Sequence, residues 1–237
     1  VTTNDEGSPY DDDLMAAVTE LGAALRELVD VSVRTTVGAP ELSAAAAQAR
    51  AITAGLAGAQ RPVHQLPELD DFAAFRRVYS PVTGVGSALA PPVEFRRVDG
   101  GVIAEVTLGA AYEGPPGYLH GGMSGLLMDE FLGAAANAAG LFGLTAHLEL
   151  DYRRPVPLDT PLIMRARITE TAERRTIAAG TIALAEDPER TMVEAHAVFV
   201  VPRAEQQEAY FGAIRDASGS DQAPSRFTGA AGPRDRA

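Results

Sequence analysis

The chain of 237 residues contains no cysteine and no lysine. Without thiols there is no disulfide, no thiolate nucleophile and no cysteine-ligated metal, so the redox compartment leaves no mark on the sequence. Without lysine there is no Schiff-base chemistry, and all 20 basic residues are arginine. The formal net charge of -12 disfavours non-specific binding to nucleic acid or to an anionic membrane. An anionic ligand therefore has to find a local arginine cluster. The opening VTTNDEGSPYDDD lacks a basic segment followed by an apolar run, and the expectation is a cytoplasmic protein. His64, His147 and His196 share no metal-ligand spacing with one another or with nearby carboxylates, so neither a metal nor a cofactor is expected.

Residues 1–13 read as a mobile acidic tail. Residues 14–62 read as a helical extension: Leu14, Val18, Leu21, Leu25, Leu28 and Val29 recur three or four apart as an amphipathic stripe. Gly38, Pro40 and a capping Ser43 lead into a second, alanine-rich helix ending near Ala59. The short turn between them predicts an antiparallel hairpin that buries its stripe on the main domain. That domain is expected over residues 68–203, and a largely disordered tail with a short helix near Gln206 to Ile214 over 204–237. Within it the hydrophobic period changes. Two strands flank the Asp99-Gly100-Gly101 turn, one helix runs to about Ala139, and four further strands follow, separated by proline, aspartate or charged turns such as AEDPER. Strands, one long helix and then a meander of strands predict an α+β domain with a single helix lying on an antiparallel sheet.

The helix carries the chemistry. Between Gly121 and Ala139 it is apolar on all sides, with Asp129 and Glu130 as its only charges. Such a helix is buried, and two central acids argue against a membrane span because each costs roughly 2.5 kcal/mol or more in a bilayer. Burying a carboxylate is costly unless it is paired, and burial raises its pKa toward the range of a useful base. Glu130 is read as a structural acid. Asp129 draws its interest from His120-Gly121-Gly122 at the helix start, where backbone N–H groups lack intrahelical partners and face outward with the positive end of the dipole. Such amides can polarise a carbonyl and stabilise its oxyanion. Asp129 lies nine residues past His120, roughly 13 Å along the axis at about 1.5 Å per residue. If both groups serve one site, the second must come from a neighbouring protomer.

The run GYLHGGMSGLLMDE, with LTAHLELDYRRPVPLDTPL and MVEAHAVFV downstream, resembles the PaaI-type hotdog-fold acyl-CoA thioesterases, notably the branch of thioesterase superfamily members 4 and 5. The resemblance covers about Val93 to Val201. It implies a long helix wrapped by an antiparallel sheet, sheets joined edge to edge in a homodimer or dimer of dimers, and a helix-start amide facing an acid from the partner's helix. Matched residue by residue, the acid is Asp129, and the residue that holds the attacking water is Thr145. The Tyr-x-Arg-Pro segment near the acyl-CoA site corresponds to Tyr152, Arg154 and Pro155, and the adjacent Arg153 joins Arg154 as a candidate for CoA phosphates. Several members carry an Asn six residues before the motif His, where this chain has Gly114. The N-terminal helices lie outside the shared region.

The resemblance implies hydrolysis of an acyl-CoA, or a related acyl thioester, to a carboxylic acid and a free thiol. Gly121, supported by Gly122, polarises the carbonyl, His120 fixes the loop, Thr145 positions water, and Asp129 acts as nucleophile or general base. The rival reading is a non-catalytic acyl-CoA-binding or regulatory protein of the same fold. A dehydratase ranks lower because no Asp and His pair follows the motif. Ser124 sits inside the helix and is read as a small packing residue rather than a nucleophile.

Overall fold

The structure is a computed structural model and describes residues 12–63, 65–71, 76–141, 143–203 and 206. His64, the tail up to residue 11 and the short helix expected near Gln206 to Ile214 lie outside the described residues, apart from Gln206 itself. The elements are α1 (Asp12–Arg34), α2 (Ala39–Leu56), β1 (Phe95–Val98), β2 (Gly101–Val106), a single 3₁₀ turn (Ala110–Tyr112), α3 (Gly121–Ala138), β3 (Leu144–Tyr152), β4 (Leu162–Thr171), β5 (Arg175–Leu184) and β6 (Asp187–Val200). The six strands form one antiparallel sheet in the order β1-β2-β4-β5-β6-β3.

Helix α3 packs on one face of the sheet. Its buried side, Leu127, Met128, Phe131 and Leu132, meets Ala104, Met164, Ala178, Ile182, Val193 and Ala195 in one core. Each of those four large side chains contributes about 1.5–3 kcal/mol by leaving water. Phe131 also meets Phe95 edge to face, with centroids 6.0 Å apart, worth about 0.5–1.5 kcal/mol beyond area burial. Small residues beneath the helix set its height. A Cβ on Gly180 of β5 would stand 2.7 Å from the Met128 methyl and 2.7 Å from the Arg165 carbonyl oxygen. The close approach of helix to sheet therefore requires glycine there.

The ends of several elements differ from their sequence reading. Helix α2 starts at Ala39, with Gly38 as N-cap and Pro40 in the first turn, so Ser43 is inside the helix and caps nothing. Proline's fixed φ and missing donor suit a first turn, which lets the helix begin earlier than the serine suggested. The β5–β6 turn is only Ala185 and Glu186, since Leu184 pairs with Asp187 and the DPER segment belongs to β6.

The expected helical hairpin does not form. Helix α1 turns one side to the body: Gly22 is buried, with its Cα so close to Val85 and Gly86 that an added Cβ would lie 2.1 Å from the Val85 oxygen. Arg26 Nη1 donates to the Val85 and Ser87 carbonyls at 2.7 and 2.9 Å. Helix α2 has no buried residue. The sequence stripe was right in period but not in direction, because the side that docks passes through Val18, Gly22, Leu25 and Arg26 and leaves Leu21 and Leu28 exposed. The tight contact at Gly22 is what admits α1.

Gly22→Ala adds helix propensity of about 1 kcal/mol but forces a methyl into the Val85–Gly86 backbone, an overpacking cost of about 1–3 kcal/mol. A lower urea midpoint is expected. A raised midpoint would show that α1 does not rest on that loop.

Candidate active site

His120 is the N-cap of α3, in extended backbone, and its Nδ1 accepts a hydrogen bond from the Gly122 N–H at 3.0 Å. The Gly122 amide is thus committed to the cap. The Gly121 N–H, the first of the helix, has no acceptor among the described residues and is the donor left for a ligand. His120 is held in turn by its own N–H on the Tyr112 carbonyl at 2.9 Å. Tyr152, at the end of β3, lies beside Gly121, and its hydroxyl donates to the Gly121 carbonyl at 2.8 Å.

Two turns along α3, Asp129 Oδ1 accepts from Thr145 Oγ1 at 2.9 Å. Thr145 and Tyr152 are seven positions apart on one strand, so regular alternation would put them on opposite faces. Both nevertheless reach α3. The reason is a bulge: Thr145 pairs with Phe199 and His147 with Val198, which leaves Ala146 as an extra residue and reverses the face beyond it. Leu148, Leu150 and Tyr152 then share the helix-facing side with Thr145. Strand β3 therefore grips α3 at both ends. It is also a sheet edge and is largely exposed.

The remaining sequence-selected residues stand apart from this pair of contacts. Arg153 Nη2 is held between Asp151 and Glu194 at 3.1 and 3.2 Å, and Arg154 Nη1 donates to the Thr191 carbonyl at 2.7 Å. Pro155 follows them, exposed. The arginines line an open groove of about 640 Å³ with Asp187, Glu189, Arg190 and Glu194, in which three cations face three acids. Within one chain, the helix start, the Asp129–Thr145 pair and this groove are three separate places. Among the described residues no group of three His, Asp or Glu side chains is arranged to hold a metal, and no helix is long and apolar enough to cross a membrane.

Glu130 has surroundings that sequence reasoning missed. It turns away from Asp129 toward the loop at Ser80 and Thr83, whose hydroxyl donates to Glu130 Oε1 at 3.4 Å. Burial raises its pKa above 4.5, outweighing the opposing pull of Thr83, Arg77 and Ser80, and the charge of Asp129 adds to the rise. The loop is folded by the Ser80 hydroxyl, which accepts from the Val82 and Thr83 amides, and it continues into the carbonyls that Arg26 of α1 holds. The Ser-Pro-x-Thr-Gly run at 80–84 was the available signal, a turn-forming segment placed before the first strand.

Gly114 occupies the position where the resembled family often has Asn. It begins a tight loop in which Gly114 N–H donates to the Tyr118 carbonyl at 2.9 Å and Gly117 adopts φ 80°. A Cβ on Gly114 would stand 2.7 Å from His120 Cα. This loop has no room for a side-chain donor there.

A six-stranded antiparallel sheet around one long central helix is the hotdog arrangement, and it defines the class of the domain. The thioesterase superfamily profile matches residues 116–189, which span the helix start, Asp129, Thr145 and the Tyr-Arg-Arg-Pro segment. A crystal structure of a thioesterase superfamily protein is 36% identical, covers 77% of this chain and 94% of that one, and superposes with a TM-score of 0.69. The chain belongs to the thioesterase superfamily. Acyl-coenzyme A thioesterase THEM4 of Xenopus laevis is 33% identical over 92 residues, 39% of this chain and 41% of that protein. Acyl-coenzyme A thioesterase THEM5 of Homo sapiens is 26% identical over 99 residues, 42% and 40% of the respective chains. The matches span about two fifths of these curated relatives.

Two outcomes follow from the site. Because the folded pKa of Glu130 is raised, its contribution to stability is fully present below the unfolded-chain value and is lost as pH rises through the folded value. Glu130→Gln stays neutral throughout, so its stability relative to the native chain should climb as pH rises above the ordinary carboxylate range in denaturation series. A difference that does not change with pH would contradict the burial of the acid. Gly114→Asn should lose about 1–3 kcal/mol from overpacking against His120; unchanged thermal stability would mean that the 114–120 loop is looser than its contacts indicate.

Proposed function

We propose that the protein hydrolyses an acyl-CoA, or a related acyl thioester, to the carboxylic acid and free thiol at a composite site between two protomers. The observation that carries this reading is the Asp129–Thr145 hydrogen bond on the exposed edge strand β3. An acid and a hydroxyl held together in this way can orient a water molecule, and an open edge is where a second sheet can join. Asp129 stands eight residues beyond Gly121, roughly 12 Å along the helix. It serves a carbonyl bound at the partner's helix start rather than at its own.

In this reading the thioester carbonyl accepts from the Gly121 N–H, at the positive end of α3, and the oxyanion formed on attack is stabilised there. His120 holds the Gly122 amide and so shapes the turn, while Tyr152 fixes the Gly121 carbonyl. Asp129 of the other protomer takes a proton from water held by Thr145, or attacks directly to give an anhydride that water then opens. The thiolate leaves and is protonated. Arg154, with the neighbouring Arg153 and Arg190, supplies guanidinium groups for the phosphates of a CoA carrier.

One observation favours a second reading. With Gly114 barred from carrying a side chain and Gly122 committed to His120, the carbonyl has a single amide donor, which suits an acyl-CoA-binding protein without turnover.

Asp129→Asn decides between them. It keeps the size of the side chain and the contact with Thr145 but removes the anion, and kcat should fall by a factor on the order of 10² or more while acyl-CoA binding persists. Thiol release over a panel of aliphatic and aromatic acyl-CoAs is the measurement, and the chain contributes no thiol of its own to the background. Binding without turnover in the native chain would establish the second reading.

A further inference from the structure

We propose that α2 is an exchange arm that packs against α1 of a second copy of this chain. This does not depend on the reading of α3. Helix α2 is 18 residues long, about 27 Å at 1.5 Å per residue, and none of its residues is buried. Most helical stability in proteins comes from packing an apolar face, and on α2 Leu42, Ile52 and Leu56 are left exposed, so the helix gains from a surface that covers it.

The pattern on α2 identifies that surface. Leu42, Ala45, Ala49, Ile52 and Leu56 follow one another at spacings of three and four, the seam of a helix that packs along its length. On α1, the side turned away from the body carries a second seam of the same kind, Ala17, Leu21, Ala24, Leu28 and Val31. Leu28 and Val31 are 47% and 55% exposed, and Ile52 and Leu56 are 52% and 55% exposed. Alanines alternate with leucines on α1, and small residues occupy the centre of α2. Large side chains of one seam can therefore settle over alanines of the other.

The two seams span similar lengths, about 21 Å each from first to last position. They are joined by only Thr35–Gly38, yet they do not meet in the same chain, where α2 stays uncovered. Two copies related by a twofold axis would offer each α1 the other's α2, giving two identical contacts and a closed pair. A membrane is a poor alternative occupant. The chain carries a net charge of -12, and the only charges on α2 are Glu41 and Arg50, so it lacks the cationic face with which amphipathic helices meet anionic lipid.

The absence of cysteine makes the test direct, since each introduced thiol is unique. Ala24 and Ala49 lie at the centres of the two seams and face each other whichever way the helices run. Ala24→Cys and Ala49→Cys chains, differently tagged and co-expressed, are treated with a short bis-maleimide. The expected result is a cross-linked species carrying both tags, while either variant alone gives little cross-linked dimer. A double variant that consumes both thiols within one chain, with no mixed species, would overturn the proposal in favour of an internal hairpin. Cross-linking of Ala24→Cys chains to one another would overturn it in favour of α1 against α1, and no cross-linking at all would show that the seams meet nothing of this chain. Circular dichroism of each variant confirms that the exposed substitutions leave the fold intact.

Discussion

The close approach of α3 to the sheet is the constraint on which the rest depends. The helix lies where Met128 and Leu132 reach Gly180, and alanines at 104, 178, 195 and 197 provide the shallow floor beneath it. Larger side chains on that floor would lift the helix and move both ends of the candidate site together. A charge-poor helix follows from this position, because nothing in such a core can solvate a carboxylate. Asp129 and Glu130 are tolerated only because each leaves the core in a different direction, one toward β3 and the other toward the loop at Ser80–Thr83.

Strand β3 links packing to chemistry. It closes on α3 through Tyr152 at the helix start and Thr145 beside Asp129, yet its outer edge is open. The residues that hold Gly121 and Asp129 in the proposed reaction thus sit on the element best placed to receive another sheet. A single protomer holds an amide donor and an acid but keeps them about two turns of helix apart. In the proposed composite site, one copy's acid meets the other's donor.

The N-terminal helix reaches the same region from behind. Arg26 holds two carbonyls of the loop whose Ser80 and Thr83 face Glu130, so α1, the loop and the centre of α3 form one connected set of contacts. This gives Glu130 a physical role in securing the back of the helix. It also means that the helical extension is built into the domain through α1, while α2 is left to find its partner elsewhere.

Much of this was legible in the primary structure. The change of hydrophobic period located the strands and the single helix, because side-chain alternation and helical stripes are local properties. His120-Gly121-Gly122 and Asp129 could be picked out because a capping residue, glycines and a lone acid in an apolar helix each have a local physical meaning. The direction in which α1 docks was not legible, since Leu21 and Gly22 are neighbours and only the backbone of the Val85–Gly86 loop selects the glycine side. Nor was the commitment of the Gly122 amide to His120. The face of Thr145 was decided by tertiary structure alone: the alternation of β3 would turn it away from α3, and the extra residue Ala146, set by pairing with the distant β6, turns it back toward Asp129.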